Sequence, residues 1–363
     1  MTPLRRCIAT VFTLLIIGKT SIAGQERAEE LRNVGLREYH AGNFAAAKAL
    51  FKEALESVVS SGNKDLEGRL RHDLGNVEIG ADRPESAYDN YASALTIFRG
   101  MPDKHFEIAA TLRNLGSAAA LQKNFDEAQM FLTEAKKTLD SDPGLTDSQL
   151  LMAEILNSQG IIFLEQGKLG KAQLLFEKAI RTRAAAGVKE KLGDAQTLSN
   201  LGVIYGKKHK YMEAERAFLQ SIDITVRMLG PSHPDLTITL ANLAGLYTAI
   251  GRYDDANMQL ERCLTILRGL DQPLNDRMAR TLGLAGSNYV KQNDQRNAAQ
   301  SFQKVIDLSR SVTLNEPALP EIFDMYAELL QKQGRSNDAR DLRADARRIR
   351  LKNALTVRAR NSE

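Results

Sequence analysis

The sequence predicts an all-α fold made of about eight stacked helix pairs. Three observations support this prediction. The 363-residue chain is rich in residues that favour helices, its apolar residues recur at helical spacing, and one residue pattern returns about every 42 residues. Aromatic residues make up only 6% of the chain and tryptophan is absent, which disfavours a large β-sandwich core.

The recurring pattern places an alanine twelve positions after a small residue, and an aromatic residue or leucine usually follows four positions later. A small residue lets two helices approach closely, and the bulky residue fills the space between one helix pair and the next. Three copies read NLGSAAALQKNFDEA at 114–128, NLGVIYGKKHKYMEA at 200–214 and NLAGLYTAIGRYDDA at 242–256. The small residue and alanine of each copy are Gly35 and Ala47, Gly75 and Ala87, Gly116 and Ala128, Gly160 and Ala172, Gly202 and Ala214, Ala244 and Ala256, Gly286 and Ala298, and Ala327 and Ala339.

Each copy is predicted to fold as two antiparallel helices joined by a short polar turn. Prolines between the copies end one pair and begin the next, because proline cannot continue a helix. One pair cannot bury its apolar face alone, so the pairs must stack. The predicted array spans 24–350 and is followed by a C-terminal tail at 351–363. The predicted repeats lie near 28–65, 66–107, 108–149, 150–194, 195–235, 236–277, 278–318 and 319–350.

This frame of small residue, alanine, aromatic residue and alanine resembles the tetratricopeptide repeat. Leu198 and Leu240 occupy a position where that repeat often has tryptophan. The spacing and the stretch LGPSHPDLTITLANLAGLYTAIGRYDDA at 229–256 are similar to the kinesin-light-chain type, which has longer helices and a His-Pro linker. The resemblance covers about residues 28–346. It implies a right-handed superhelix, a solenoid that acts as a non-enzymatic scaffold for binding a protein or peptide.

The last repeat departs from this frame, because Arg343 stands where an aromatic residue is expected and residues 335–360 are rich in arginine. The terminal helix of a solenoid needs a polar outer face to stay soluble. This favours a solvated capping helix over a patch that binds anionic lipid or nucleic acid. The net charge of +4 is small for this length, so we expect no nucleic-acid partner.

The first 23 residues have the layout of a secretory signal peptide. Residues 1–6 include two arginines, residues 7–18 are uncharged and apolar, and the small residues Ser21 and Ala23 suit a cleavage site. The apolar run is shorter than the roughly 20 residues that a membrane span needs, and an uncleaved N-terminal anchor is the less favoured alternative. We expect cleavage after Ala23, export to the periplasm or full secretion, and no membrane span in the mature chain.

The resemblance also implies that the first helix of each pair lines a concave groove. Two positions before the small residue, this face carries a row of residues: Asn33, Asp73, Asn114, Ser158, Asn200, Asn242, Leu284 and Met325. An asparagine side chain donates and accepts hydrogen bonds, which suits the backbone of an extended peptide. Alternatively, asparagine tolerates an exposed helix face or bridges adjacent repeats. The predicted peptide-binding residues are Arg69, His72, Asn76, Arg113, Asn114, Asn157, Asn200 and Asn242.

The basic members of this set would fit an acidic segment in the partner. Glu154 on the same face weakens the positive potential, and charges that are simply solvated are the favoured explanation. Chaperone-binding tetratricopeptide domains grip a C-terminal carboxylate through basic residues and asparagines on three successive repeats. His72, Asn76 and Asn114 match three of those positions. Glu154 and Ser158 stand where lysine and arginine are required, so we reject this ligand.

The sequence predicts no catalytic residue, no metal site and no cofactor. Its five histidines lie far apart in sequence, and no HExxH motif or cysteine–histidine cluster occurs. Two functions stay open beside the peptide-binding scaffold. One is a structural assembly subunit that binds through its convex face or its end caps. The other is a peptide-sensing regulator, against which the leader argues because such arrays are cytosolic.

Overall fold

The computed structural model describes residues 24–140, 146–187, 192–270 and 273–360. The predicted signal peptide and its cleavage site lie outside these residues. Within them, the regular structure consists of sixteen α-helices and no strand, which confirms the predicted all-α fold class. No helix of the described ranges is long and apolar enough to cross a membrane.

The chain divides into two compact units, unit 1 up to Ile204 and unit 2 from Tyr205 onwards. Unit 1 contains α1 (24–40), α2 (Phe44–Ser61), α3 (Lys64–Gly80), α4 (Pro84–Arg99), α5 (His105–Leu121), α6 (Phe125–Leu139), α7 (Thr146–Glu165), α8 (Leu169–Ala185) and most of α9 (Leu192–Lys207). Unit 2 contains α10 (Tyr211–Leu229), α11 (Leu236–Ala249), α12 (Tyr253–Arg268), α13 (Asn275–Lys291), α14 (Gln295–Ser311), α15 (Leu319–Lys332) and α16 (Ser336–Arg360). Within each unit, helices pack as pairs and each pair packs on the next.

The small residues of the recurring pattern lie against the bulky residue of the second helix. A Cβ atom added at Gly75 would lie 2.4 Å from a ring carbon of Tyr91, and one added at Gly160 would lie 2.5 Å from Phe176. Contacts this short do not occur between real side chains. The glycines are therefore required where the two helices of a pair cross, as the spacing predicts.

The turns inside the pairs share one backbone geometry. In the turn after α11, Gly251 has a φ of 80°, and the amide of Arg252 donates a 2.9 Å hydrogen bond to the carbonyl of Tyr247. In the turn after α5, Lys123 takes the left-handed position with a φ of 67°, and the amide of Asn124 bonds to the carbonyl of Ala119 at 2.9 Å. This pattern is the Schellman motif, which satisfies carbonyl groups at a helix C-terminus. It reverses the chain within a few residues.

The last helix is longer than the predicted end of the array at residue 350. Leu342 and Ala346 of α16 are buried in the core of unit 2, together with residues of α15 such as Tyr326. The helix then continues to Arg360 through part of the predicted tail. Residues 351–355 are all exposed.

Candidate functional site

The predicted binding residues of unit 1 lie on its first helices, α3, α5, α7 and α9. Their side chains form polar contacts from one helix pair to the next, and the bonded residues are 38 to 43 positions apart in sequence. This separation is about one repeat. The predicted face of unit 1 is therefore partly occupied by bonds between its own repeats.

A hydrogen-bonded cluster joins α3 to α5. The Nδ2 atom of Asn114 lies 2.8 Å from Nε2 of His72 and donates to Oδ1 of Asn76 at 3.0 Å. The Tyr91 hydroxyl donates to the same Asn76 oxygen at 2.8 Å, and burial raises the pKa of Tyr91, which keeps it a neutral donor. Asn114 is buried, whereas His72 and Asn76 are partly exposed. The Asn114 amide therefore links two repeats.

Ion pairs neutralise much of the positive charge predicted on this face. Arg113 of α5 lies 2.5 Å from the Glu154 carboxylate of α7. Arg69 pairs with Asp65 of its own helix at 2.7 Å and leaves 45% of its side chain exposed. The face thus offers guanidinium donors in fixed positions, but its positive electrostatic potential is weaker than the number of basic residues suggests.

A second polar cluster joins α7 to α9. Asn157 is only 4% exposed, and its Oδ1 atom accepts a hydrogen bond from Thr197 at 3.1 Å and one from Asn200 at 3.4 Å. The buried Arg183 donates to the Thr197 hydroxyl at 3.1 Å and to Asp194 at 3.0 Å. Thr197 and Arg183 were not among the predicted residues. No local signal in the sequence pairs them, since their partners come from other helices.

These contacts support the alternative that asparagine bridges adjacent repeats, at Asn114, Asn157 and Asn200. A ligand could use the buried amides of Asn114 and Asn157 only by displacing the bonds between repeats. The residues of the predicted set whose side chains are exposed or partly exposed in unit 1 are Arg69, His72, Asn76, Arg113 and Asn200.

In unit 2, the corresponding face is less polar. Asn242 of α11 is partly exposed, but Leu284 of α13 and Met325 of α15 occupy the equivalent positions of the next two repeats. Gly245 lies one turn from Asn242, and a Cβ atom added there would meet no atom within 4 Å. The backbone beside Asn242 is therefore uncovered, and a glycine inside a helix, outside the small-residue frame, is the feature of the sequence that indicates this.

Other polar groups have structural surroundings. Cys263 is buried, and burial raises the pKa of its thiol, so the reactive thiolate is disfavoured. His233 is buried in the linker before α11, where its Nδ1 accepts from the Asp235 amide at 3.2 Å. Among the described residues, no group of three or more His, Cys, Asp or Glu side chains could hold a metal ion.

Sequence comparison identifies the repeats. The tetratricopeptide repeat profile matches residues 66–141, 107–185 and 193–269, and a second tetratricopeptide repeat profile matches 279–312. Protein KINESIN LIGHT CHAIN-RELATED 3 of Arabidopsis thaliana is 29% identical over 150 residues, which are 41% of this chain and 23% of that protein. The chain spans about a quarter of the length of the curated relatives it matches.

Solved structures share the fold at low sequence identity. The Rap conjugation gene regulator of the plasmid pLS20, in complex with a peptide, has a TM-score of 0.64 at 14% identity and covers 92% of this chain and 96% of its own. The apo quorum sensor NprR from B. thuringiensis has a TM-score of 0.59 at 15% identity and covers 94% of both chains. The repeat profile and the helix pairs lead to one conclusion: this chain belongs to the tetratricopeptide repeat family.

Proposed function

We propose that the chain is a non-enzymatic interaction scaffold that binds an extended segment of a partner protein along the first-helix face of unit 1. The binding groups would be Arg69, His72 and Asn76 of α3 together with Arg113 of α5.

The observation that carries this proposal is the fixed geometry of these side chains. His72 and Asn76 are held by the buried amide of Asn114, and Arg113 is held by Glu154, yet each keeps part of its surface exposed. Ordering a long side chain on binding costs about 0.5–1.5 kcal/mol. Side chains that are already ordered avoid much of that cost. They offer donors and acceptors at set positions to the backbone of an extended peptide.

The fold itself supports a polypeptide ligand. A protein of the same fold was solved in complex with a peptide. The identity of that protein to this chain is only 14%, so its peptide says nothing about the ligand here.

The test selects binding peptides from a random library displayed on phage and measures their affinity by titration calorimetry. The face variant is Arg69→Ser with Arg113→Ser. The matched control is Arg181→Ser with Arg99→Ser on the second helices α8 and α4. Arg181 pairs with Glu177 four residues away, as Arg69 does with Asp65. Arg99 pairs with Glu134 of a neighbouring repeat, as Arg113 does with Glu154.

We expect the face variant to bind the selected peptides at least about tenfold more weakly, because hydrogen bonds to charged groups contribute about 1.5–3 kcal/mol. The control should bind like the parent chain. If both variants lose affinity equally, or only the control loses affinity, the first-helix face is not the specific binding surface. That result would favour the structural assembly subunit.

We also propose that the chain is exported and loses residues 1–23. The layout of that segment supports this, with two arginines before an uncharged apolar run and small residues at its end. N-terminal sequencing of the protein isolated from its own cells tests it. A mature N-terminus at Gly24 is expected, and an intact leader on protein recovered from the cytoplasm would contradict export.

A further inference from the structure

The end of α16 concentrates positive charge. Residues 347–360 contain six basic residues and no acidic one: Arg347, Arg348, Arg350, Lys352, Arg358 and Arg360. Because the whole chain has a net charge of only +4, the remainder of the chain is slightly acidic. The excess of positive charge is thus a local property of this helix end.

The same helix end exposes two leucines on the face that points away from unit 2. Leu342 and Ala346 are buried in the core and Ile349 packs against it. With 3.6 residues per turn, Leu351 and Leu355 lie on the opposite side of the helix from these three residues. The two leucines are 63% and 56% exposed.

Basic residues flank the leucines. Arg347 and Arg348 precede Leu351 by about one turn, lie on either side of it around the helix axis and are exposed. Arg350 lies on another side, where it donates to Asp324 at 2.7 Å and to Glu321 at 3.3 Å. Arg350 therefore fastens α16 to α15. Arg348 pairs with Asp345 of its own helix at 3.2 Å and still leaves 79% of its side chain exposed, and Arg347 is also exposed.

A polar outer face is enough to keep the end of a solenoid soluble, and it does not require leucines. An exposed pair of leucines at i and i+4 with flanking arginines combines the two kinds of side chain through which helices bind a membrane interface. Nucleic acid would bind the charges but leave the leucines without a role.

In place of the purely solvated capping helix that the sequence favours, we propose that the end of α16, defined by Arg347, Arg348, Leu351, Lys352 and Leu355, binds the surface of a membrane that contains anionic phospholipids. The arginines and the lysine bind lipid phosphates, and the two leucines enter the boundary between headgroups and acyl chains. This binding is independent of the peptide-binding face proposed above.

The experiment measures co-sedimentation of the purified full-length chain with two kinds of vesicle. One is phosphatidylcholine alone, and the other contains equal parts of phosphatidylcholine and phosphatidylglycerol. The charge variant is Arg347→Gln, Arg348→Gln and Lys352→Gln. The leucine variant is Leu351→Gln with Leu355→Gln. A matched control removes three exposed charges elsewhere, through Lys207→Gln, Lys208→Gln and Lys210→Gln.

We expect the parent chain and the lysine control to bind the anionic vesicles far more tightly than the neutral ones. Each basic residue near an anionic surface raises the membrane affinity about fivefold. The charge variant, which loses three such residues, should therefore bind anionic vesicles roughly 100-fold more weakly. The leucine variant should lose about tenfold or more. Both variants should keep the parent melting temperature, because the changed side chains are exposed.

Three results would overturn the proposal. The parent chain could bind both vesicles equally, the charge variant could bind like the parent, or the leucine variant could bind like the parent while only the charge variant loses affinity. The last result would describe a purely electrostatic surface, and binding of a DNA duplex or an acidic peptide by the leucine variant would then identify its partner.

Discussion

At the scale of single residues, Gly160 shows how a missing side chain sets the distance between two helices. An added Cβ atom would lie 2.5 Å from the Phe176 ring, and both residues are buried. The spacing of sixteen residues between them predicted this contact, because both positions belong to one recurring frame. The interaction is local to one helix pair, and local spacing is what a sequence displays.

We predict that Gly160→Ala destabilises the chain although alanine favours helices. The overpacked contact costs about 1–3 kcal/mol, while the gain in helix propensity is about 1 kcal/mol. Urea unfolding should show a net loss of stability. Gly170→Ala in α8 is the control, because its Cβ would meet no atom within 4 Å. If Gly160→Ala unfolds like the parent chain, the helices of this pair do not cross at Gly160.

At the scale of helices, the polar clusters decide which residues join repeats and which can reach a ligand. Asn157 on α7 and Thr197 on α9 bond to each other across 40 residues of sequence. The position of Asn157 in the frame predicts a place in the binding groove. Its burial cannot be predicted from the sequence, since the neighbour that covers the side chain lies in another repeat.

We predict that Asn157→Leu lowers the stability of unit 1 and has no direct effect on ligand binding. The change removes the acceptor through which Asn157 joins α7 to Thr197 and Asn200 of α9 and places an apolar side chain beside the buried polar groups there. The Thr197 hydroxyl keeps the Gly193 carbonyl as an acceptor at 2.7 Å, so we expect a cost of about 1 kcal/mol, that of a net hydrogen bond. Circular dichroism during urea titration measures the loss. Asn90→Leu on α4 is the control because Asn90 is partly exposed and its amide bonds within its own helix, to the Ser86 carbonyl at 2.8 Å. A stability equal to that of the control would show that the α7–α9 cluster contributes nothing to folding.

At the scale of the whole molecule, the chain forms two compact units, each with its own core clusters. In repeat proteins, stability is a sum of terms from each repeat and its nearest neighbours. A destabilising substitution should therefore increase local unfolding in its own and neighbouring repeats before it affects distant repeats.

We predict that paired glycine variants separate the two units in hydrogen exchange. Gly160→Ala should raise amide exchange in α7 and α8 of unit 1 and leave α15 unchanged. Gly286→Ala, whose Cβ would lie 2.4 Å from Phe302, should raise amide exchange in unit 2 and leave α7 and α8 of unit 1 unchanged. Mass spectrometry of peptic fragments measures both. An equal rise throughout the chain after either change would mean that all repeats unfold in one cooperative step.

The sequence by itself determined the all-α class, the number of helix pairs and the crossing points at residues such as Gly75 and Gly160. These features follow from spacing within a repeat, because helix periodicity and small-residue contacts act over fewer than about 20 residues. Only the tertiary structure decided that Asn114 and Asn157 bridge repeats, that Glu154 neutralises Arg113, and that α16 carries two leucines past the core. Those properties depend on partners roughly one repeat away or on the end of the neighbouring helix, and no local pattern encodes them.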